Sequence, residues 1–295
     1  MKIHSNLVSD VIKFFHQELS HIYTESELKL VLNWIFEKQL KLSYNKILGE
    51  RDFRVNQSDL IILEQTCYQL KEHVPIQYVL GEAEFYHLKF KVNKNVLIPR
   101  PETEELVDII VKDFKLTTST FRLLDIGTGS GCIPISIKKN IPKAEVFALD
   151  ISTDALDIAT QNAALNKVEI HFFQADVLNS SVADEIINQT KHQKIDVLVS
   201  NPPYVLKSEL ENLENRVKNH EPHLALFVND ADPILFYRKI ALLGKEILSA
   251  NGNLYFECHT HYAQNVYKMM VDLGYKNVVL SPDMAQNPRF VWGMA

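Results

Sequence analysis

The stretch LLDIGTGSGC, Leu123 to Cys132, decides the fold. Its apolar opening reads as a buried strand, and the glycines break that strand before the apolar run IPISI at 133–137 resumes as a helix. Gly127, Gly129 and Gly131 therefore fall on a turn from strand to helix. There the missing Cβ atoms let a ligand approach the backbone, and unpaired helical N–H groups point outward. The next strand, EVFALD, ends in Asp150, about 20 residues beyond the glycines, where a carboxylate can accept both hydroxyls of an adenosine ribose. No Lys-Ser or Lys-Thr pair follows the loop, which excludes a P-loop.

A nicotinamide dinucleotide and S-adenosylmethionine both suit this layout. Asp125, two residues before Gly127, fits a ligand with a cationic aminoacyl group better than one with a pyrophosphate. The third strand ends in FFQADVL, where Asp176 can accept from an adenine amino group and Val177 can cover the ring face. With Asp150, these residues favour an adenosyl ligand.

Working outward from the loop, strands are predicted at 121–126, 145–150, 168–173, 195–200, 252–258 and 276–280, with a short last one near 289–293. Helical stretches separate the first five, a pattern that builds a largely parallel sheet with helices on both faces. Ligands of such sheets sit outside the carboxyl ends of the strands. Upstream, residues 1–80 read as a small helical bundle. Thr24 and Glu27 have capping-box spacing, and a further cap is expected at Asn56 or Ser58. The stripes Val8, Val11, Ile12, Phe15, Leu19, then Leu28, Val31, Trp34, Ile35, then Leu60, Leu63, Cys67, Leu70 are predicted as core. This segment carries nine Lys and Arg against ten Asp and Glu, so it has no basic footprint. Residues 81–102 are predicted as a β-hairpin and linker. Tyr86, Leu88, Phe90 and Val92 alternate with polar residues, NKN at 93–95 supplies the turn into VLI, and the two prolines of PRPET hold Arg100 extended ahead of a helix near Thr103.

The fourth strand runs into SNPPY, which points Asn201 at the carboxyl edge where the methyl group of an adenosyl cofactor would lie. A planar nitrogen, in an amide or an aromatic amine, is a poor nucleophile because its lone pair is delocalised. It reacts when two fixed acceptors hold its N–H bonds so that the lone pair faces the methyl carbon. The side-chain oxygen of Asn201 and the carbonyl of Pro202 can do this, Pro203 stiffens the turn, and Tyr204 can lie against the acceptor plane. No strong general base is required, because the nitrogen becomes acidic once it carries the fourth bond.

PIQYVLGEAEFY, VLIPRPETEELV, LLDIGTGSGCIPISI, ALDIS, SNPPY and EPHLAL together resemble the release factor glutamine methyltransferases, over about residues 73–230. The resemblance implies an α/β fold: a seven-stranded class I methyltransferase domain, Rossmann-like, at 103–295, preceded by the helical bundle and the hairpin linker. It implies methyl transfer from S-adenosylmethionine to the side-chain amide of the glutamine in the Gly-Gly-Gln loop of peptide chain release factors. Cofactor contacts would come from Gly127, Thr128, Gly129, Ser130, Gly131, Asp150, Asp176, Val177 and Asn201. Asn201, Pro202, Pro203 and Tyr204 would bind the acceptor, with Asn201, Pro202 and Tyr204 catalytic, and PRPET would close over the site. The pattern departs from the family after EPHLALF and at YFECHTHYA, where His259 and His261 are expected to make loop contacts rather than act as bases.

The alternatives are a glutamine methyltransferase acting on a ribosomal protein and an adenine amino-methyltransferase acting on nucleic acid. The ribosomal-protein branch tends to read Pro-Arg-Ser where this linker has Pro101, Glu102 and Thr103 after Arg100, so the resemblance favours the release factor over the first. A net charge of −6 counts against the second, and direct nucleic-acid binding is not expected. Cys67, Cys132 and Cys258 are too scattered for a disulfide framework or a metal site and are expected to be buried as small apolar residues. With neither a signal peptide nor an apolar run of membrane length, the expected location is cytoplasmic, with no membrane partner.

Overall fold

The computed structural model describes residues 2–3, 5–43, 46, 49 and 53–295; the rest of the segment predicted as helical over 1–80 lies outside the described residues. The chain forms two compact units, Met1–Gly81 with Glu214–His220 and Glu82–Leu213 with Glu221–Ala295.

In the first unit, helices α1 (Val8–Leu19), α2 (Glu25–Ile35), α3 (Gln57–Lys71) and α4 (Ile76–Leu80) bury one stripe each. Thr24 caps α2 through a capping box, and the side chain of Asn56 accepts from Asp59 N–H to cap α3. These caps satisfy N–H groups that have no partner inside the helix. Val11, Phe15, Leu32, Ile35, Leu63 and Cys67 are fully buried. Trp34 departs from the predicted stripe at 43% exposure; Leu32, one helical turn on from Leu28 and on the same face, takes the core place instead.

The second unit opens on a hairpin, β1 (Glu82–Phe85) and β2 (Leu88–Lys91). Its turn is at Tyr86 and His87, both with positive φ (47° and 62°), and not at 93–95 as the alternation suggested. Non-glycine residues rarely adopt two consecutive left-handed conformations, so no turn residue marks the site. Buried asparagines of another helix secure the hairpin. Asn162 exchanges hydrogen bonds with the backbone of Lys91 (2.6 and 3.0 Å) and also donates to Ser130 O (2.9 Å), while Asn166 donates to Lys89 O (2.9 Å). Helix α5 (Pro101–Phe114) begins two residues before the predicted Thr103, with Pro101 at the first position, where a missing N–H costs nothing.

Strands β3 (Arg122–Ile126), β4 (Glu145–Asp150), β5 (His171–Gln174) and β6 (Ile195–Ser200) follow, then a small separate pair, β7 (Val205–Leu206) with β8 (Phe227–Val228), and then β9 (Leu248–Glu257), β10 (Lys276–Pro282) and β11 (Pro288–Met294). The main sheet has seven strands in the order β10-β11-β9-β6-β3-β4-β5. The run from β9 to β5 is parallel, and β11 lies antiparallel between β9 and β10. Strand β5 starts three residues later than predicted. Helix α7 (Thr153–Asn166), which follows α6 (Cys132–Asn140), ends in a left-handed Lys167, and the N–H of Val168 is spent on Ala163 O to close that end.

Both faces of the parallel strands are covered, as a sheet with crossover helices requires. On one face Leu124, Leu149 and Leu198 pack against α8 (Val182–Gln189), α9 (Leu235–Ile247) and α10 (Ala263–Asp272) through Ile186, Tyr237, Ile240 and Val266. On the other, Leu123, Val146, Val197 and Val199 meet Ile110 of α5 and Ile135 of α6. The chain moves outward from β3 in both directions, so the switch point of the topology lies between β3 and β6.

Candidate active site

Register aligns the strand ends. Gln174 pairs with Asp150, Leu149 with Ile126, Ile126 with Ser200, and Ser200 with Phe256. One residue beyond these pairings on β3, β6 and β9 stand Gly127, Asn201 and Glu257, the last still paired with Phe290 of β11, and together with Asp150 they form a row along one carboxyl edge. The Ser200 hydroxyl ties the two central strands there by donating to Ile126 O at 2.7 Å.

A cavity of about 320 Å³ opens on this row, within the range of small-molecule sites. Its wall includes Gly127, Gly129, Asp150, Asp176, Val177, Asn201, Pro202 and Pro203, with Leu149, Ala175, Phe236 and Ile240 supplying apolar surface. Thr128, Ser130, Gly131 and Tyr204 do not line it. Gly127 and Gly129 have positive φ and open space where a Cβ would stand, whereas a Cβ on Gly131 would meet Ile135 Cδ1 at 2.9 Å and Ala159 Cβ at 3.1 Å. The third glycine thus permits close packing of α6 on α7, while the first two form the cradle.

The carboxylate of Asp150 accepts from Gly129 N–H (2.8 Å) and Ser152 N–H (3.0 Å), so it shapes the glycine loop as well as facing the cavity. Burial raises its pKa, opposed by those N–H groups. Asp176 also faces the cavity, and one of its oxygens accepts from Leu178 N–H at 2.9 Å. Asp125 is placed otherwise than its sequence position suggested. It is fully buried beneath the loop, does not reach the cavity wall, and has no hydrogen-bond partner on either oxygen among the described residues. Burial pushes its pKa up to about 7; the nearby Thr128 hydroxyl, outside hydrogen-bonding geometry, pulls the other way.

At the other side of the cavity, the carboxamide of Asn201 donates from Nδ2 to Thr103 Oγ1 at 3.2 Å, and Thr103 in turn donates to Glu257 Oε2 at 2.6 Å. Tyr204 donates to Glu257 Oε1 at 3.4 Å. Burial raises the pKa of the Tyr204 phenol and pushes that of Glu257 up to about 7, the latter opposed by Thr103 and by Arg289. Glu257 is the residue of this group that sequence reasoning misses. Yet YFEC sets a single acid at the end of an apolar strand, the same signature that marks Asp150. The linker is held by another buried acid, Glu221 of EPHLAL. It pairs with Arg100 at 2.5 Å and accepts from Ile98 N–H at 3.3 Å, which joins PRPET to EPHLAL in space.

His259 stacks edge-on against Tyr204 and accepts from His261 N–H through Nδ1 at 3.2 Å. Burial lowers its pKa. Ligand-type atoms of Glu209, His259 and His261 lie close to one another, but with Nδ1 accepting, the neutral His259 ring carries its proton on the Nε2 that faces Glu209 at 3.7 Å. Its lone pair is therefore spent within the loop. The three cysteines are buried.

A seven-stranded sheet with one reversed strand, a glycine cradle at its switch point and Asn-Pro-Pro-Tyr beside it define a class I methyltransferase. The methyltransferase small domain matches residues 103–224. The release factor glutamine methyltransferase of Flavobacterium psychrophilum is 42% identical over 279 residues, 94% of this chain and 95% of that protein. That of Bacteroides thetaiotaomicron is 41% identical, over 95% of this chain and 98% of that protein. A solved structure of a release factor-specific protein-(glutamine-N5) methyltransferase from Alicyclobacillus acidocaldarius covers 70% of this chain and 98% of its own, at 23% identity and a TM-score of 0.42. The chain belongs to the release factor glutamine methyltransferase family.

Proposed function

We propose that this enzyme transfers a methyl group from S-adenosylmethionine to the side-chain amide nitrogen of the glutamine in the Gly-Gly-Gln loop of peptide chain release factors. The observation that carries the reading is the row Asp150, Gly127, Asn201 at one carboxyl edge, with the glycine cradle and the amide-facing turn on adjacent strands. The cavity suits the cofactor: two open glycines, an acid on the wall for the ribose, Asp176 and Val177 for the adenine, and apolar side chains around them. Bound there, S-adenosylmethionine supplies an electrophilic methyl group on a sulfonium.

The chain's own groups then orient the acceptor. Asn201 Oδ1 and the Pro202 carbonyl accept the two N–H bonds of the glutamine amide, which turns the nitrogen lone pair toward the cavity. As the new bond forms the nitrogen becomes acidic, and one of these protons passes to water, so no buried base is called upon. Tyr204 and the rigid prolines hold the turn that presents these acceptors. We assign docking of the folded factor to the helical segment 1–80, since one side chain offers too little surface for specificity. Release factors act in the cytoplasm, and no described helix is long and apolar enough to cross a membrane.

The test is incubation of the purified protein with methyl-labelled cofactor and a release factor, followed by mass analysis of the Gly-Gly-Gln peptide. One added methyl on that glutamine is expected, and none on a factor with glutamine replaced by alanine. Label appearing instead on a ribosomal protein or on nucleic acid would overturn the reading.

A further inference from the structure

Glu257 joins both ends of the acceptor turn. It is 1% exposed, and Thr103, in the first turn of α5, is 3% exposed, so neither exchanges partners with water. One carboxylate oxygen accepts from Thr103, which accepts from Asn201; the other accepts from Tyr204. The Ser200–Phe256 pairing sets Glu257 beside Asn201, and the Tyr237 hydroxyl holds its backbone by donating to Glu257 O at 3.2 Å.

The inventory of protons fixes the direction of this chain. An ionised carboxylate only accepts, so Thr103 must give it its single hydroxyl proton. The threonine oxygen can then only accept, and Asn201 must present its NH₂ side to it. A carboxamide turned by 180° would set oxygen against oxygen with no proton between them. Oδ1 of Asn201 is therefore left for the cavity, the side from which a substrate amide donates.

We propose that Glu257, acting through Thr103, is a positioning residue that holds the Asn201 carboxamide with its oxygen toward the acceptor nitrogen and anchors Tyr204 of the same turn. This rests on the methyl-transfer role given to Asn201 above. Protonated Glu257 carries a proton of its own, the chain loses its single direction, and Asn201 is released. The charged and titratable groups around Glu257 are Arg289 of β11, Glu102 of α5, Tyr204, Cys258, Tyr237 and Cys132. Arg289 favours the ionised form and Glu102 opposes it, while burial sets the titration near neutrality.

The experiment compares Glu257→Gln, Thr103→Val and Thr103→Ser in the full-length enzyme, measuring kcat and KM on intact release factor, the pH profile of kcat, and S-adenosylhomocysteine affinity by calorimetry. Glu257→Gln and Thr103→Val are expected to lower kcat at least about tenfold with analogue affinity within about twofold, and Thr103→Ser to restore most of the loss. The parent should lose turnover as pH falls through about 7, and Glu257→Gln should lack that limb. Retained analogue affinity also reports a folded cavity; if Glu257→Gln does not fold, the threonine pair decides. Unchanged kcat in Thr103→Val, or no rescue by serine, overturns the positioning role while leaving methyl transfer intact. A parent enzyme that fails to methylate the release factor removes both readings.

Discussion

Beneath the glycine loop and beneath the Asn201–Tyr204 turn lies one buried carboxylate each, Asp125 and Glu257, and burial pushes both up to about 7. They are partnered in opposite ways. Among the described residues neither oxygen of Asp125 has a hydrogen-bond partner, while both oxygens of Glu257 accept, from Thr103 and Tyr204. On the cofactor side the geometry comes from backbone: glycines with positive φ, and loop N–H groups tied to Asp150. On the acceptor side it comes from side chains of three separate elements meeting at Glu257. The first arrangement tolerates an unsatisfied acid below it, and the second cannot, because the acid is the joint that orients the reacting groups.

The contrast can be broken most sharply at Asn201. Asn201→Ala removes a side-chain acceptor for which no backbone group substitutes, and turnover on the release factor is expected to fall at least about a hundredfold. Cofactor affinity, read by calorimetry, should fall much less. An alanine variant with near-parent kcat would show that the acceptor side also relies on backbone alone.

A smaller effect is expected at Asp150, where the ligand and the loop share one carboxylate. Asp150→Ala should weaken S-adenosylhomocysteine binding about ten- to a hundredfold, corresponding to lost charge-assisted bonds of about 1.5–3 kcal/mol. With saturating cofactor, kcat should stay close to that of the parent. If kcat falls as steeply as affinity, Asp150 governs the acceptor geometry too, and the two sides are not independent.

The smallest effect concerns stability and sharpens the pairing contrast directly. The folded pKa of Asp125 lies above its unfolded value of 3.8, so the folded state keeps a proton that the unfolded chain releases between that value and about 7. Stability from this group is thus fully present at low pH and lost as pH rises through about 7. Asp125→Asn removes the titration and should raise thermal stability more at pH 8 than at pH 5, by about 1 kcal/mol or more at the higher pH. Glu257→Gln should gain less, since its amide nitrogen cannot accept from the hydroxyls that now donate there. Equal gains in parallel melting curves would mean that the two acids are, energetically, in the same situation.

What could be read from the residues alone was what neighbours along the chain determine. Glycine spacing, the acid ending an apolar strand, the caps at Thr24 and Asn56, and the alternation of strand and helix are local, and their physics is the same wherever the segment ends up in the fold. The hairpin was misplaced because its turn uses Tyr86 and His87 at positive φ, a conformation that tertiary contacts impose and that no turn residue announces. Trp34 fits the apolar period and stays outside, since a helix has more apolar positions than its partners can cover.

Strand order lay beyond the sequence, and with it the acceptor network. Thr103 and Glu257 are 154 residues apart, Asn201 and Thr103 are 98 apart, and they meet only because β9 adds beside β6 while α5 crosses that edge. A sequence could name Asn201 as the group that faces the acceptor. Which way its amide points is set by a proton chain ending on Glu257, and that chain exists only once the sheet has assembled, because a hydrogen bond depends on distance in space and not on distance along the polypeptide.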